Sequence, residues 1–416
     1  MNKKLFTQIK NEWRSNLWIA TELLLVSVVM WYVVDYIYVE YKVYTEPHGF
    51  DISNCYLVSM GQLTDKSPDF IPNDTLIAEE IDELVNRIAH RPEVEAVSLS
   101  QNSYPYNGSN SGTGVRYDTL QSYGYVVRRF VTPDFLRVFR YQGTRGETPE
   151  QLAEMLTREN FLASDNLYER KYGVKLTSLV GKQFYLFGDS TKTYRLAASL
   201  KPVRYSDHEQ AIFSYCMVYN LDCLDRSWYD THLELCIRVK EGQDVDFINR
   251  LKADSEKQLR IGNVFIADIR SFADIRHNYE QSSINTLRNF IFGMAFLLLN
   301  IFLGLLGTFW FRTQQRRSEI ALHKALGGTN YTVFNRLLSE GLLLLLIATV
   351  PAIIIDWNLA YAELNSWMSG TTLETGRFII TVVLTFILIT LMIVTGISIP
   401  AYKAMKIQPA EALHEE

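Results

Sequence analysis

Seven histidines and four cysteines are the side chains best suited to bind a metal or supply a nucleophile, and neither set is spaced to do so. The histidines are scattered. Cys55, Cys216, Cys223 and Cys236 lack the paired CxxC spacing of a zinc site. All four lie in one long segment, where an oxidising compartment would permit disulfides. Three complete pairings exist and spacing does not choose among them; buried free thiols are the equal alternative. Nucleotide chemistry needs a phosphate-cradling GxxxxGK[ST] loop. Here Gly181-Lys182 is followed by Gln183, and no glycine stands five residues before Gly181. Gly112-Thr113-Gly114 lacks the third glycine of a dinucleotide fingerprint, and no parallel βαβ unit is evident around it. No Ser/His/Asp set or carboxylate pair stands out as catalytic. A net charge of -5, from Lys+Arg 41 against Asp+Glu 46, gives no basic excess for nucleic acid.

The informative residues are instead polar groups set among apolar ones. Glu22, Asp35, Asn300 and Glu340 lie in or beside long apolar runs, where charged groups are costly and face protein or water. Glu22 is expected to contact a neighbouring helix or reach the membrane edge, with a transport-pathway role as the lesser alternative. Glu340 stands four residues after Arg336, on the same helix face, and is expected to pair with it. Gly293, Gly304 and Gly307 would allow close helix approach, as at a dimer seam. Arg316 to Thr329 reads as a short punctuated helix. Ser318 is the expected N-cap. Glu319 lies at the positive end of the dipole, with His323 and Lys324 toward the negative end. Gly327 and Gly328 stop the helix, and Thr329 or Asn330 caps the next. A capped helix of this kind would present a firm knob to a partner.

Four apolar blocks must position these residues. A helix crossing the hydrocarbon needs about 20 apolar residues, and the runs at 17–39, 289–311, 337–355 and 378–399 satisfy that. The first is too long for a cleaved signal peptide, and no small-residue cleavage site follows it. Trp31, Tyr36, Tyr38, Tyr41 and Tyr44 suit a membrane interface. Lys3, Lys4, Lys10 and Arg14 precede the first run. Arg312, Arg316, Arg317, Lys324 and Arg336 flank the second connection, and Lys403 and Lys406 follow the last run. The third connection has only Arg377 against Asp356, Glu363 and Glu374. The bias puts both termini in the cytoplasm. Residues 1–16, with Leu5, Ile9 and Trp13 at helical spacing, read as a cytoplasmic amphipathic helix, or as an ordinary basic flank.

The fold class expected is therefore an α-helical membrane protein with four transmembrane helices, plus a large α+β extracytoplasmic domain between helices 1 and 2. That domain, with its stalk, occupies 40–283. Ile77–Ala89, 148–163 and 245–260 read as helical. Stretches 94–99, 121–131, 183–186, 194–200, 213–218 and 233–239 read as strands. Asn102 to Gly114 reads as a mobile surface loop. Polar but helical residues 271–288 would carry the stalk into the second span. The cytoplasmic connection covers 312–336, the short external loop 357–377 and the cytoplasmic tail 400–416.

Several of these stretches resemble one family. Glu319-Ile320 followed by Lys324-Ala325-Leu326-Gly327 is similar to the coupling-helix motif of the MacB/FtsX/LolC permeases, the type VII ABC transporters. Pro400-Ala401-Tyr402-Lys403-Ala404, then Pro409-Ala410-Glu411-Ala412-Leu413, resembles that family's closing motif. Glu340 matches a glutamate usual in its third span. Thr132-Pro133-Asp134-Phe135-Leu136-Arg137-Val138-Phe139 resembles part of the MacB-type periplasmic core domain, as does 162–205, through Gly181-Lys182 to Lys201-Pro202-Val203-Arg204-Tyr205. Ser318 and His323 stand where the family often has arginine.

The resemblance implies an inner-membrane, multi-pass permease subunit without enzymatic activity of its own. It would form a homodimer, or a heterodimer with a related permease. ATPase coupling would fall to Glu319, Ile320, His323, Lys324, Ala325, Leu326 and Gly327. The ABC ATPase would be a separate polypeptide holding ATP-Mg, so no cofactor is expected in this chain. Its motion would pass to the external domain for export or efflux of a substrate, with a periplasmic adaptor and outer-membrane duct as further partners. Membrane lipids surround the spans; nucleic acid is not a partner. The competing expectation is a membrane-anchored ligand sensor signalling through a partner protein, and a membrane-anchored enzyme is third.

Overall fold

The computed structural model describes residues 13–72, 77–108, 111–122, 125–219, 231–255, 258–365 and 373–406. The proposed amphipathic helix up to residue 12, Cys223, and the closing motif from Pro409 onward lie outside the described residues. The chain divides into two compact units, Met1–Tyr44 with Ser283–Glu416, and Thr45–Ser282.

The first unit is helical. Four helices are long and apolar enough to cross a membrane. Span one is Trp13–Tyr44, span two Phe272–Gln315, span three Asn330–Tyr361 and span four Thr375–Met405. Even the shortest, at 31 residues, measures about 46 Å at 1.5 Å per residue, against about 30 Å of hydrocarbon. Each helix therefore continues into polar sequence beyond its apolar run. Spans one, three and four enclose a core that includes Met30, Val34, Leu344, Leu345, Ile389 and Ile393, joined by Ile301, Leu305 and Phe309 of span two.

Within the single chain, close helix packing falls on Gly341 and Gly396. A Cβ on Gly341 would overlap Ile397 Cδ1, so this glycine lets spans three and four approach. Gly396 faces the backbone oxygen and ring of Phe302, and Leu305. Of the earlier three, Gly293 and Gly307 meet nothing within 4 Å, while Gly304 faces Glu22 Oε1. Glu22 thus lies against span two, where the missing side chain makes room for its carboxylate.

The second unit is α+β, and the fold class expected from sequence holds. One twelve-stranded sheet runs in the order Val264–Ser271, Cys55–Gln62, Glu234–Val239, Val94–Gln101, Val126–Val131, Ser214–Tyr219, Asn160–Ser164, Thr193–Leu200, Gln183–Leu186, Val115–Tyr117, Leu120–Gln121, with Ser111–Thr113 paired to Val126–Val131. Helices Ile77–Ala89 and Phe247–Ser255 bury Ile81, Leu84, Ile88, Phe247 and Leu251 against Val58, Leu99, Leu235 and Ile237. Phe135, Phe139, Tyr141, Leu162, Leu200 and Tyr215 belong to a second cluster. Phe161, Tyr168, Phe184 and Leu196 belong to a third.

Some local expectations fail here. The helical reading of 148–163 holds only for Pro149–Met155. Asn160–Ser164 is a buried strand, parallel to Thr193–Leu200. Ser214–Tyr219 is likewise parallel to Val126–Val131, so parallel pairing exists where sequence showed no βαβ signature. The expected loop at 102–114 contributes the strand Ser111–Thr113 and buries Ser103 and Tyr106. Cys55, Cys216 and Cys236 are buried free thiols. Burial pushes the Cys55 and Cys216 thiols up to about 12, which keeps them protonated and unreactive.

Gly341→Val should place branched atoms against Ile397 and destabilise the bundle by roughly 1–3 kcal/mol through overpacking. Gly376→Ala, with open space at its Cβ, should stay within about 0.5 kcal/mol of the parent. Thermal unfolding of the two variants in detergent separates these outcomes.

Candidate functional site

The connection between spans two and three is built from a break, a short helix and a turn. Span two ends at Gln315, and Arg316 leaves the helical region at φ -100°, ψ 20°. The helix Arg317–Ala325 follows. The N-cap is therefore Arg316, with no side-chain cap, and not the expected Ser318, which lies inside the first turn. The chain re-enters helix two residues earlier than capping chemistry alone would place it, and the tertiary ion pairs described below hold that entry. At the far end Gly327 takes φ +96°, a conformation L side chains avoid. Thr329 then caps span three, its side chain accepting from Thr332 N at 3.2 Å.

The root of this helix is fixed by buried charge. Glu340, 2% exposed, accepts from Arg312 Nη1 at 2.5 Å and from Arg316 Nη1 at 3.2 Å. Arg312, at the foot of span two, is itself 5% exposed. The expected Glu340–Arg336 pair does not form. Arg336 turns outward to Glu319 Oε1 at 2.8 Å. An in-helix partner at i−4 would have left Arg312 buried and uncompensated, at a cost of several kcal/mol; satisfying it wins.

The seven candidate residues divide by environment. Ile320 is buried with Ala321 and packs into the bundle core. Lys324 Nζ donates to the Met405 carbonyl at 2.8 Å, which ties the helix to the end of span four. Glu319 joins Arg336, and His323 Nδ1 packs on Gly328, where a Cβ would overlap it. Ala325, Leu326 and Gly327 are exposed, Leu326 by 81%. Leu322 and Tyr331 add exposed apolar surface. The helix therefore has a charged, pinned inner side and an apolar outer tip.

Two further polar clusters went unseen in the sequence. At the opposite end of the bundle, Arg377 Nε and Nη2 donate to Asp35 Oδ1 and Oδ2 at 2.8 and 2.5 Å, and Asn365 Nδ2 donates to Oδ2 at 3.1 Å. Trp31 Nε1 donates to Thr381 Oγ1 at 3.1 Å. These contacts clamp span one to span four. In the middle domain, Asp207 Oδ1 accepts from Tyr106 OH at 2.6 Å and lies 2.9 Å from His48 Nε2; its Oδ2 accepts from Arg276 Nε at 2.6 Å. Asp207 N donates to Glu280 Oε1 at 2.8 Å, and Arg204 donates to the Glu46 and Asp207 carbonyls. The cluster joins residues 46–48, 204–209 and 276–280 within that domain. Burial opposes ionisation of Asp207, but the bonds from His48, Tyr106 and Arg276 outweigh it and hold the carboxyl well below the usual range. Burial pushes Glu280 upward, helped by the Asp207 charge. Among the described residues no group of three or more His, Cys, Asp and Glu is placed to hold a metal ion.

The arrangement defines a multi-pass membrane protein whose large α+β domain is inserted after the first of four spans. Residues 291–409, from span two to the end, match the family model described as FtsX-like permease C-terminal. This stretch is thus similar to the C-terminal part of FtsX-like permeases, and with the four apolar helices it is consistent with a multi-pass MacB/FtsX-like ABC permease. A comparison with curated proteins finds no match.

Glu340→Gln should remove the buried carboxylate that faces Arg312 and Arg316 and cost about 3–5 kcal/mol. Adding Arg312→Met should recover part of that loss, read as a higher unfolding midpoint for the double variant than for Glu340→Gln. The pH response of the middle domain follows from Asp207. Its folded value lies below its unfolded one, so its stabilisation is present above about 3.9 and is lost as pH falls below that. Glu280, raised on folding, contributes with the opposite sign. Asp207→Asn should therefore lower stability at pH 7 and flatten the fall in stability between about pH 5 and 2, as measured by denaturant titration of the full chain.

Proposed function

We propose that this protein is the permease subunit of an ABC transporter of the MacB/FtsX type. It transmits ATP-driven motion of a separate ATPase to its middle domain for export or efflux of a substrate. Members of the matched family are generally non-enzymatic membrane components that work with an ABC ATPase. The observation that carries the reading is the contrast along Arg317–Ala325: an apolar exposed tip on a root locked by buried ion pairs. A joint that passes force needs that combination, because a partner must grip the tip and the root must not yield.

The ATPase would seat on Leu322, Ala325, Leu326 and Gly327, with Glu319, Ile320, His323 and Lys324 setting the angle of the helix. ATP-Mg would be held by that partner. The helix Phe272–Gln315, of 44 residues, follows the strand Val264–Ser271 without a linker residue, and a stiff helix carries displacement that a flexible linker absorbs. In this reading both termini and the Arg317–Ala325 helix face the cytoplasm and the middle domain faces the periplasm. Two copies, or one copy with a related permease, pair in the membrane, and a periplasmic adaptor and outer-membrane duct complete the route.

Ala325→Asp and Leu326→Asp alter exposed positions and should leave folding intact. Each should cut copurification of the ATPase at least tenfold, whereas Gln314→Ala should not. A cysteine at position 326 should react with an impermeant maleimide in inverted vesicles and not in intact cells. Reaction in intact cells, or undiminished ATPase capture by folded Leu326→Asp protein, rules the proposal out.

A further inference from the structure

One carboxylate deep inside the bundle stands apart from the ion pairs described above. Asp356, in span three, is 3% exposed, and its Oδ1 has no hydrogen-bond partner among the described residues. It lines a cavity of about 20 Å³ between spans one, three and four, large enough for one water or one small ion. Ser27 of span one and Thr349 and Thr385 of spans three and four line the same cavity, with Ile353 and Ile389 among its apolar walls. Ser27 is 5% exposed and its Oγ is also without a partner among the described residues. Thr349 and Thr385 donate to the Leu345 and Thr381 carbonyls at 2.8 Å, which leaves their lone pairs as acceptors.

An unpaired carboxylate is not stable in a low-dielectric interior. Elsewhere in this bundle, buried Glu340 and Asp35 each have arginine within hydrogen-bonding distance. Asp356 has no such arginine among the described residues, and it is the sole titratable residue lining the cavity. The polar groups around the cavity are one carboxylate and neutral hydroxyl oxygens. That set matches a hard ion of single positive charge; a divalent ion takes more carboxylates and six or more oxygens. Sulfur and imidazole, which would draw a transition metal, are not among the lining residues.

We propose that Asp356, with Ser27, Thr349 and Thr385, forms an intramembrane site for one small monovalent cation, either sodium or a proton. The two share one chemistry, a single positive charge received by Asp356 and neighbouring hydroxyl oxygens. The occupant joins spans one, three and four at a point where no cationic side chain lines the cavity. The site is independent of whether an ATPase docks on Arg317–Ala325.

The test uses the full-length protein in lipid nanodiscs, at constant ionic strength, with sodium chloride replaced stepwise by choline chloride, at pH 5.5 and pH 8. A sodium-bound site should raise the unfolding midpoint in sodium relative to choline at pH 8, by an amount that grows with concentration as RT ln(1 + [Na⁺]/Kd). A proton-bound site should show no sodium effect, and a midpoint higher at pH 5.5 than at pH 8. Asp356→Asn should abolish a sodium response, or remove Asp356's share of the difference between pH 5.5 and pH 8, and Ser27→Ala should reduce it. Should Asp356→Asn fail to fold, Ser27→Ala and the labelling of Asp356 itself still decide. Dicyclohexylcarbodiimide should modify Asp356, read by peptide mass spectrometry, and sodium or alkaline pH should slow that labelling at least threefold. Labelling unaffected by either condition, or a folded Asp356→Asn protein with the parent's full sodium and pH responses, overturns the proposal.

Discussion

A charge inside the span bundle must be neutralised there, and this constraint shapes the structure at both ends. Water and headgroups are not available to Glu340 or Arg312, each buried to within a few per cent. The Coulomb attraction across 2.5 Å offsets desolvation only while both partners stay in place. The foot of span two, the start of Arg317–Ala325 and span three are therefore held as one piece. Asp35 and Arg377 impose the same condition on spans one and four at the other end. The apolar core between them, from Met30 to Ile397, is less directional. In lipid, burying leucine against leucine hardly differs from burying it against acyl chain, so the ion pairs fix the register that apolar packing alone would leave loose.

Stiffness at the root gives Arg317–Ala325 its proposed role. Ile320 and Ala321 are in the core, Lys324 reaches the last residue of span four, and Glu319 is held by Arg336. Force applied at Leu326 cannot be absorbed by rotation of the short helix without pulling Ile320 and Ala321 from the core and breaking the Lys324–Met405 and Glu319–Arg336 pairs. It has to displace the spans to which those pairs lead. A surface ion pair would not serve, since such pairs contribute about 1 kcal/mol or less; Glu319–Arg336, half exposed on one side, sets orientation and Glu340–Arg312 supplies the strength.

The architecture is legible in the sequence because its signals are long-range averages. Twenty apolar residues in a row mean a span in almost any context, and four such runs around a mixed segment leave few alternatives. The short helix is legible from Gly327 and Thr329, where backbone geometry is local. What sequence cannot decide is the choice between competing partners. Glu340 has Arg336 at i−4, a spacing worth a few tenths of a kcal/mol, but Arg312 and Arg316, 28 and 24 residues away, are buried and compete more strongly. Ser318 lost the cap for a related reason. The strand Asn160–Ser164 reads as helix in sequence because a short apolar run looks alike for both, and its parallel neighbour lies some 30 residues further along the chain. Asp207 offers no hint of its own in the sequence. Its partners His48, Tyr106 and Arg276 come from three separate segments, and no local pattern joins them.

Burial also differs among the spans in a way that bears on motion. Span two is 11% buried over its apolar stretch, against 39, 33 and 28% for spans one, three and four. Its fully buried contacts with the core are Ile301, Leu305 and Phe309, with Met294, Leu297 and Leu298 packed partly buried against it and Phe290 stacked on Tyr36, while Phe292, Phe296, Leu299 and Leu303 remain exposed. Spans one, three and four thus form a packed block, and span two lies against it along one face. Under the proposed function this division is useful. A helix enclosed on all sides would need the packed block to deform with it, against the low compressibility of a close-packed interior. A helix applied along one face can shift while uncovering less apolar surface of the block.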